Sequence, residues 1–596
     1  MTEILKFISE EGIKVKKPAR YIGNEYNSIY KDPKGKFRIA LSFPDLYELG
    51  MSHYGLEILY HLLNSMEKVY AERVYLPWVD MIELMETKNI PLFTLETKTP
   101  IKFLDAIGIS LEYELSFTNV LKLLQLSQIP IRAEQRAEDD PLVIGGGPVT
   151  YNPEPISQAF DIIYIGDGEK NLKKLIEVLI ESKGEKRIDR LEYVSKLNGV
   201  YVPIFYKQIG RKIIPVSNVP KIIRRNIISD LDEAIVPVNK VLPNVESTHD
   251  RAIIEISRGC TRGCRFCQAG YVYRPVRERS LQNVVSSAIE MINKTGYGEM
   301  SLLSLSAMDH SLIQEIVNEL LSFSKKYRIS ISIPSTRVDA FNVEVASKIA
   351  SIRKTGITLA PEAGSQKMRD KINKNVSFDD IFNSAFNAKK AGWNRIKLYF
   401  MVGFPNEKEE DILEIGTLLK EIKRLKFQRI TASINLLVPK PHSAFQFARL
   451  QSYEYTEYVN NLLRPYRKFA RIDISDGKKS FIEGVISRGD RKIFEVLIRK
   501  FKKSFYDDWT EFFSFEDWLE SFKESEVEIE EYLGPYDINT DFPWEHIDSG
   551  ITKAFLWKEY TKYLNKEITK DCRWNTCSYC GVCQIYRVGN LVKKVV

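Results

Sequence analysis

Apolar residues along this chain recur with two alternating periods. Short apolar runs, Phe37–Phe43 (FRIALSF), Ala106–Leu111 (AIGISL), Leu142–Ile144 and Ile162–Ile165, read as strands, and stretches of helical spacing such as Leu56, Leu59, Leu62 and Leu63 separate them. Strands alternating with helices predict an α/β domain over residues 36–170, a flavodoxin-like doubly wound sheet whose ligand sits off the carboxyl ends of the strands. Asp45, Gly145 to Gly147 and Gly166 fall at such ends.

Residues 1–35 form an N-terminal extension ahead of that domain. Residues 171–248 are less regular, with a hairpin over 201–214 and then Pro220, Pro237 and Pro243, and read as a linker. A second alternating series begins at Ala252–Ile256 and continues through Met300–Leu305, Ile329–Ile333, Ile357–Leu359, Ile396–Met401 and Ile430–Val438. Strand and helix repeated in this way predict a partial (β/α)6 barrel over 249–450, smaller than the usual ~250-residue eightfold barrel. From Tyr453 the composition turns to Lys, Glu and aromatic residues, which predicts a mainly helical extension over 451–596 that ends in a Cys-rich site.

Composition narrows the class without naming a function. Apolar content of 44% and charged content of 28% suit a globular protein, and the chain lacks a run of ~18 apolar residues that would span a membrane. The N-terminus carries no apolar secretory stretch, so a cytoplasmic location is expected. A net charge of +7 on 596 residues does not by itself indicate nucleic acid. Basic runs at 221–225 (KIIRR) and 499–503 (RKFKK) read as solvated faces, with an RNA surface as the other reading.

All seven cysteines fall in two groups: Cys260, Cys264 and Cys267, then Cys572, Cys577, Cys580 and Cys583. In a reducing compartment such grouping points to metal or redox chemistry. The first group has C-x3-C-x2-C spacing. Three thiolates on one loop can ligate three irons of a cubane and leave the fourth open. A zinc site there would be one ligand short, because the nearest histidine, His249, lies upstream of the strand. Gly259 and Gly263 let the backbone turn closely, and Arg258, Arg262 and Arg265 would offset the cluster's charge.

This loop, with an aromatic residue (Phe266) before its last cysteine and a strand just ahead of it, resembles the radical S-adenosylmethionine (SAM) superfamily. The resemblance implies a 4Fe-4S cluster on Cys260, Cys264 and Cys267 whose open iron chelates SAM, and one-electron cleavage of SAM to a 5'-deoxyadenosyl radical. It also implies a reductant partner such as flavodoxin or ferredoxin. SAM contacts carried over by position are Phe266, Ser304, Ser306, Ser335, Arg337 and Glu362, although the Gly-Gly-Glu-like stretch of the family is absent after the second strand. Lys397, Tyr399, Gly403, Phe404 and Pro405, and Pro439 to His442, fall at turns that face substrate in that family.

The N-terminal domain resembles that of the cobalamin-binding subclass. Asp45, Tyr47 and Gly50 stand where that subclass has D-x-H-x-x-G, Ser110 follows the middle strand, and Gly145 and Gly146 stand for its G-G. Tyrosine replaces the cobalt-ligating histidine, which leaves the cobalt's lower face either without a side-chain ligand or served by His53, three residues past Gly50; the other reading of His53 is a structural polar cap at a helix start. The resemblance implies a transferase that moves a methyl group to an unactivated carbon. One alternative is a radical SAM enzyme without cobalamin that acts on RNA or another macromolecule. A second is a non-catalytic iron-sulfur scaffold or redox sensor. The second cysteine group, C-x4-C-x2-C-x2-C, can complete a structural zinc site or hold a second iron-sulfur cluster, and its compact spacing favours the cluster.

Overall fold

Local signals fix the helices where the sequence places them. The helix Leu281–Thr295 starts at Ser280, whose hydroxyl accepts from the Asn283 N–H. It buries Val284, Ala288, Met291 and Ile292 on one face and stops at Gly296 with φ of +71°. The helix Phe378–Lys390 opens on a reciprocal cap between Ser377 and Asp380. The computed structural model describes residues 2–334, 338 and 356–592.

The first sheet holds six strands: β1 (Phe37–Phe43), β2 (Val69–Tyr75), β3 (Ala106–Ser110), β4 (Leu142–Gly146), β5 (Ile162–Tyr164) and β6 (Val200–Tyr201). Their order is β2-β1-β3-β4-β5-β6, parallel except for β6. The order reverses between β1 and β3, where connections leave to opposite faces and open a crevice at the carboxyl ends. Two features of this sheet depart from the sequence reading. β2 goes unseen because Glu72 and Arg73 interrupt its apolar run. Both are fully buried, Arg73 pairing with Glu25 at 2.8 Å and Glu96 at 2.7 Å, and Glu72 pairing with Arg38. The boundary at 170 also falls too early, since the helices Gly168–Glu181 and Arg187–Ser195 and the two-residue β6 complete this layer. The hairpin is present as β7 (Tyr206–Ile209) and β8 (Lys212–Pro215).

Two further parallel sheets follow. β10 (Ala252–Glu255), β13 (Glu299–Leu303) and β14 (Ser330–Ser332) form one, with β9 (Ile223–Arg224) and the short antiparallel pair β11 (Ser257–Arg258) and β12 (Arg277–Glu278) beside them. β15 (Ile357–Glu362), β16 (Arg395–Val402), β17 (Arg429–Leu436) and β18 (Arg471–Ile474) form the other. β18 lies in the region expected to be mainly helical, and its four residues extend the series by one strand. Burial alternates along β16: Ile396, Leu398, Phe400 and Val402 are buried under helices, while Lys397, Tyr399 and Met401 are half-exposed on the other face. A sheet covered on both faces would be apolar throughout, so this inner face fronts an open, polar interior.

The C-terminal region returns to the first domain instead of standing apart. β19 (Ile547–Asp548) pairs in parallel with β9. Thr118 on the first domain donates to Asp507 at 2.8 Å, and Tyr506 donates to the carbonyl of Pro77 at 2.6 Å. Asp507 also accepts from the indole of Trp518 and pairs with buried Lys500.

Candidate active site

The three-cysteine loop is an excursion between β11 and β12, whose pairing holds its two ends together. Gly259 at its base has φ of +90°, and a Cβ there would fall 2.3 Å from the carbonyl of Pro275. Only glycine fits where the two arms cross this closely. Cys264 is buried, Cys260 and Cys267 are half-buried, and the N–H of Gly270 points at the Cys267 sulfur at 3.3 Å. Burial, with Cys264 and Cys260 close by, pushes the Cys267 thiol up to about 12. Crowded thiols of this kind ionise together only beside a cation. The donor set therefore fits a metal cluster, although no three His, Cys, Asp or Glu side chains converge in metal-ligating geometry among the described residues.

The arginines of the loop are engaged by protein groups, which corrects the expectation that they offset cluster charge. Arg258 pairs with Glu255, Glu169 and Asp167 at 2.8, 2.8 and 3.1 Å. Arg262 pairs with Asp309. Arg265 is fully buried and donates to the carbonyls of Lys371 and Glu567. These residues lock the loop to its neighbours, so spacing alone misjudges them.

Of the positions expected to contact SAM, Ser304 and Ser306 sit at the end of β13. Ser304 shares a 2.6 Å hydrogen bond with Ser257, and Ser306 donates to Asp309. Phe266 packs at 6.5 Å from Phe404. Glu362 ends β15 beyond a register shift, with φ of +69°, and its charge is felt at Cys267. A non-glycine residue held there is strained, which marks a place where side-chain position is imposed. Its carboxylate pairs with Lys374 at 3.1 Å. Ser335 and Arg337 lie outside the described residues. Lys397 donates to Tyr399 at 2.8 Å on the polar inner face. Gly403, Phe404 and Pro405 form the turn after β16, where Phe404 is buried. Lys440 is tied to Glu114 and Glu483, and His442 is buried against the carbonyl of Tyr151.

A cavity of about 620 Å³ joins this loop to the first sheet. One wall comprises Gly108 to Ser110, Gly145 to Gly147 and Gly166 to Glu169 at the ends of β3, β4 and β5, and the opposite wall comprises Glu255, Ser257 to Gly259 and Leu303 to Leu305. The floor is mainly aliphatic, from Ile39, Leu41, Leu59 and Leu63. Ser110, Gly145 and Gly146 therefore line it. Asp45, Tyr47 and Gly50 do not. Asp45 accepts from the Trp509 indole at 3.1 Å, Tyr47 is buried against Glu25, and Gly50 packs on Tyr75. These three hold the start of the domain together, away from the lining of this cavity.

His53 lines the cavity, but both ring nitrogens are engaged. Nδ1 accepts from the Leu56 N–H at 3.1 Å, so the proton is on Nε2, which stands 3.1 Å from the Glu112 carboxylate. Glu112 adds a carboxylate to this wall, while Asp167 and Glu169 there are paired with Arg258, which lines the cavity with them. The mainly aliphatic lining, with backbone open at its glycines, suits a large, mainly apolar ligand that also carries amide donors.

Two family models match this chain. "Radical SAM proteins, N-terminal" covers residues 55–203, and "Radical SAM superfamily" covers residues 254–419, including the three-cysteine loop. The chain belongs to the radical SAM superfamily. It is a radical SAM enzyme. It is 27% identical over 462 residues to an uncharacterised protein of Methanocaldococcus jannaschii, covering 77% of this chain and 90% of the relative. It is 22% identical over 290 residues to the tRNA-2-methylthio-N(6)-dimethylallyladenosine synthase of Petrotoga mobilis, covering 46% of this chain and 64% of that one. Among solved structures, the radical SAM methyltransferase TsrM of Kitasatospora setae, with cobalamin and a 4Fe-4S cluster bound, aligns over 70% of this radical SAM enzyme and 79% of its own chain, at 13% identity and a TM-score of 0.49. Likeness at that level is weak.

The second cysteine group lies directly on the first loop. Thr261 donates to Asp571 at 2.6 Å, and Arg573 reaches the carbonyl of Asp309 at 3.2 Å. The side chain of Asn590 accepts from the Val276 N–H at 3.1 Å, and Leu591 bridges to Arg277. Cys580, Cys572 and Cys577 each push the Cys583 thiol up, which puts the tail's thiols within electrostatic range of Cys583. No periodicity in the sequence signals this contact, which joins residues 264 to 314 positions apart.

Proposed function

We propose that this enzyme cleaves SAM reductively at a 4Fe-4S cluster held by Cys260, Cys264 and Cys267, and uses a cobalamin in the adjoining cavity to transfer a methyl group to an unactivated carbon. The single observation that carries the reading is the cavity that runs from the base of this cysteine loop to the glycine-lined ends of β3, β4 and β5. The two later parallel sheets are read as one incomplete barrel around the polar inner face of β16. When bound, the cluster supplies one electron to the sulfonium of SAM, and cobalamin supplies the methyl group.

The residues contribute position and exclusion of water. Glu362 would orient SAM through a charge-assisted hydrogen bond, Ser304 and Ser306 would bond its polar groups, and Phe266 would cover it. Ser335 and Arg337 are proposed as further contacts. Ser110, Gly145 and Gly146 would let cobalamin approach the backbone, and Glu112 and Glu169 would accept from its amides. Cys572, Cys577, Cys580 and Cys583 are proposed to hold one metal centre, and a reductant such as flavodoxin or ferredoxin is the proposed partner.

The test is anaerobic reconstitution with iron, sulfide and cobalamin, read by absorbance and by 5'-deoxyadenosine release under dithionite. Wild type should retain cobalamin and release 5'-deoxyadenosine, and Cys264→Ala should release none. Equal release from Cys264→Ala would sink the SAM assignment. SAM cleavage without cobalamin retention would favour the cobalamin-free reading, to which the tRNA-modifying relative points.

A further inference from the structure

The four thiols of the tail form an inner and an outer pair. Cys580 is buried and Cys572 half-buried on the side of the first loop, while Cys577 and Cys583 are exposed. Between the inner pair and the first loop lies Arg274. Its side chain is buried, its Nε donates to the Gly270 carbonyl at 2.9 Å, its charge is felt by Cys580 and Cys572, and its Nη2 lies 3.6 Å from where a Cβ of Gly263 would sit. Gly263 immediately precedes Cys264. The Thr261–Asp571 hydrogen bond ties the residue after Cys260 to the residue before Cys572. With Cα atoms about 3.8 Å apart along a chain, that bond holds Cys260 and Cys572 within roughly 16 Å of each other.

The outer side carries a mixed apolar and basic patch. Trp574 is 56% exposed, Tyr579 70%, and Ile568 and Leu564, a few residues earlier in the chain, are exposed as well. Lys566, Lys570 and Arg587 are exposed in the same segment, against one exposed carboxylate, Glu567. Exposed aromatic and aliphatic side chains in a segment whose exposed charges are mostly cationic suit an acidic protein partner.

We propose that the tail holds an iron-sulfur cluster and is the port by which electrons enter, with the face of Trp574, Tyr579, Lys570 and Arg587 docking a small acidic electron-transfer protein. This rests on the reading that Cys260, Cys264 and Cys267 hold the cluster that cleaves SAM. The carrier is oxidised by one electron, and that electron ends on the centre held by the first loop; no bond forms or breaks and no proton moves. A zinc ion would fill the same four thiolates but could not relay charge. Exposure of one thiol pair and burial of the other toward the first loop is what a relay requires, whereas a purely structural metal needs no outward-facing pair.

The test uses full-length protein reconstituted anaerobically, with reduced flavodoxin and reduced ferredoxin as donors. Wild type should hold about eight irons per chain. Lys570→Glu/Arg587→Glu should keep that iron and its dithionite-driven reduction, yet accept electrons from the carrier roughly tenfold more slowly, with a weaker dependence on salt. Cys577→Ser/Cys583→Ser should hold about four irons and lose carrier-driven reduction relative to dithionite-driven reduction in the same variant. One zinc with about four irons in wild type overturns the proposal. So does carrier-driven reduction of either variant at the wild-type rate. If the charge reversal leaves that rate unchanged and abolishes a tRNA gel shift instead, the patch is a nucleic-acid surface and the proposal falls. A wild type that carries about eight irons, takes electrons from the carrier and still cleaves no SAM would sink the proposed function but support this one.

Discussion

The hydroxyl of Thr261 donates a 2.6 Å hydrogen bond to Asp571, and so fastens one cysteine loop to the other. Asp571 does more than accept that bond. It stands 3.3 Å from Arg573 and 3.6 Å from Arg262, both of which also reach Asp309. Two carboxylates and two guanidiniums thus join the first loop, the end of β13 and the tail in one network.

Removing one member of such a network leaves its partners desolvated and unpaired. Asp571→Ala is expected to lower stability by about 1–3 kcal/mol and to make the tail more susceptible to proteolysis. Limited proteolysis with mass spectrometry should locate the new cleavage between residues 565 and 592. Cleavage that stays at wild-type rate would show that the network does not hold the tail.

A second expectation concerns pH and lies away from the metal loops. Glu407 is buried, and burial raises it from 4.5 to about 7 against the opposing effect of hydrogen bonds from the Gly403 N–H and the Tyr455 hydroxyl. Its neutral form is the one the fold favours. The stabilisation is therefore fully present below pH 4.5, the unfolded value, and lost as pH rises through 7. By linkage the loss amounts to about 3 kcal/mol at pH 8. Glu407→Gln removes the titration, so its melting temperature relative to wild type should rise between pH 6 and pH 8. A pH-independent difference would mean that Glu407 ionises normally.

What the sequence reveals and what it hides follow from the range of the interactions involved. β1, β3, β4 and β5 are legible because apolar residues dominate their runs, and the cysteine spacing is legible because its three members fall within eight residues. β2 is hidden because Arg73 is neutralised by Glu25 and Glu96, partners that lie far away in the chain. Asp45 matches a motif position, yet the Trp509 indole that fixes it comes from the far end of the sequence. The same holds for Arg258, whose partners Asp167 and Glu169 turn a presumed cluster neighbour into a bolt between domains. Pattern reports what a residue does to its own strand or loop, and long-range pairs have no period.

Glu362 offers a test of the SAM side of the site. Its positive φ and the register shift before it place a carboxylate near Cys267 at some conformational cost. Glu362→Gln keeps the shape and removes the charge. Loss of one charge-assisted hydrogen bond should weaken SAM binding about tenfold or more without loss of iron. The change that SAM induces in the electron paramagnetic resonance of the reduced cluster gives the affinity. Unaltered affinity would assign Glu362 to the Lys374 ion pair alone.

His53 takes the capping role that is the alternative to cobalt ligation, and ligation there meets a specific obstacle. Nδ1 is occupied by the Leu56 N–H at the start of the helix Tyr54–Asn64, and Nε2 bears the proton directed at Glu112. Coordination through Nε2 would require that proton to leave and the 3.1 Å contact with Glu112 to break. Coordination through Nδ1 would uncap the helix, at a cost of about 1 kcal/mol. Cob(II)alamin bound to this enzyme is therefore expected to show no nitrogen hyperfine coupling from a protein imidazole. His53→Ala should leave that spectrum unchanged while lowering stability through the lost cap. A nitrogen coupling that disappears in His53→Ala would establish ligation and require the His53–Glu112 pair to open on binding.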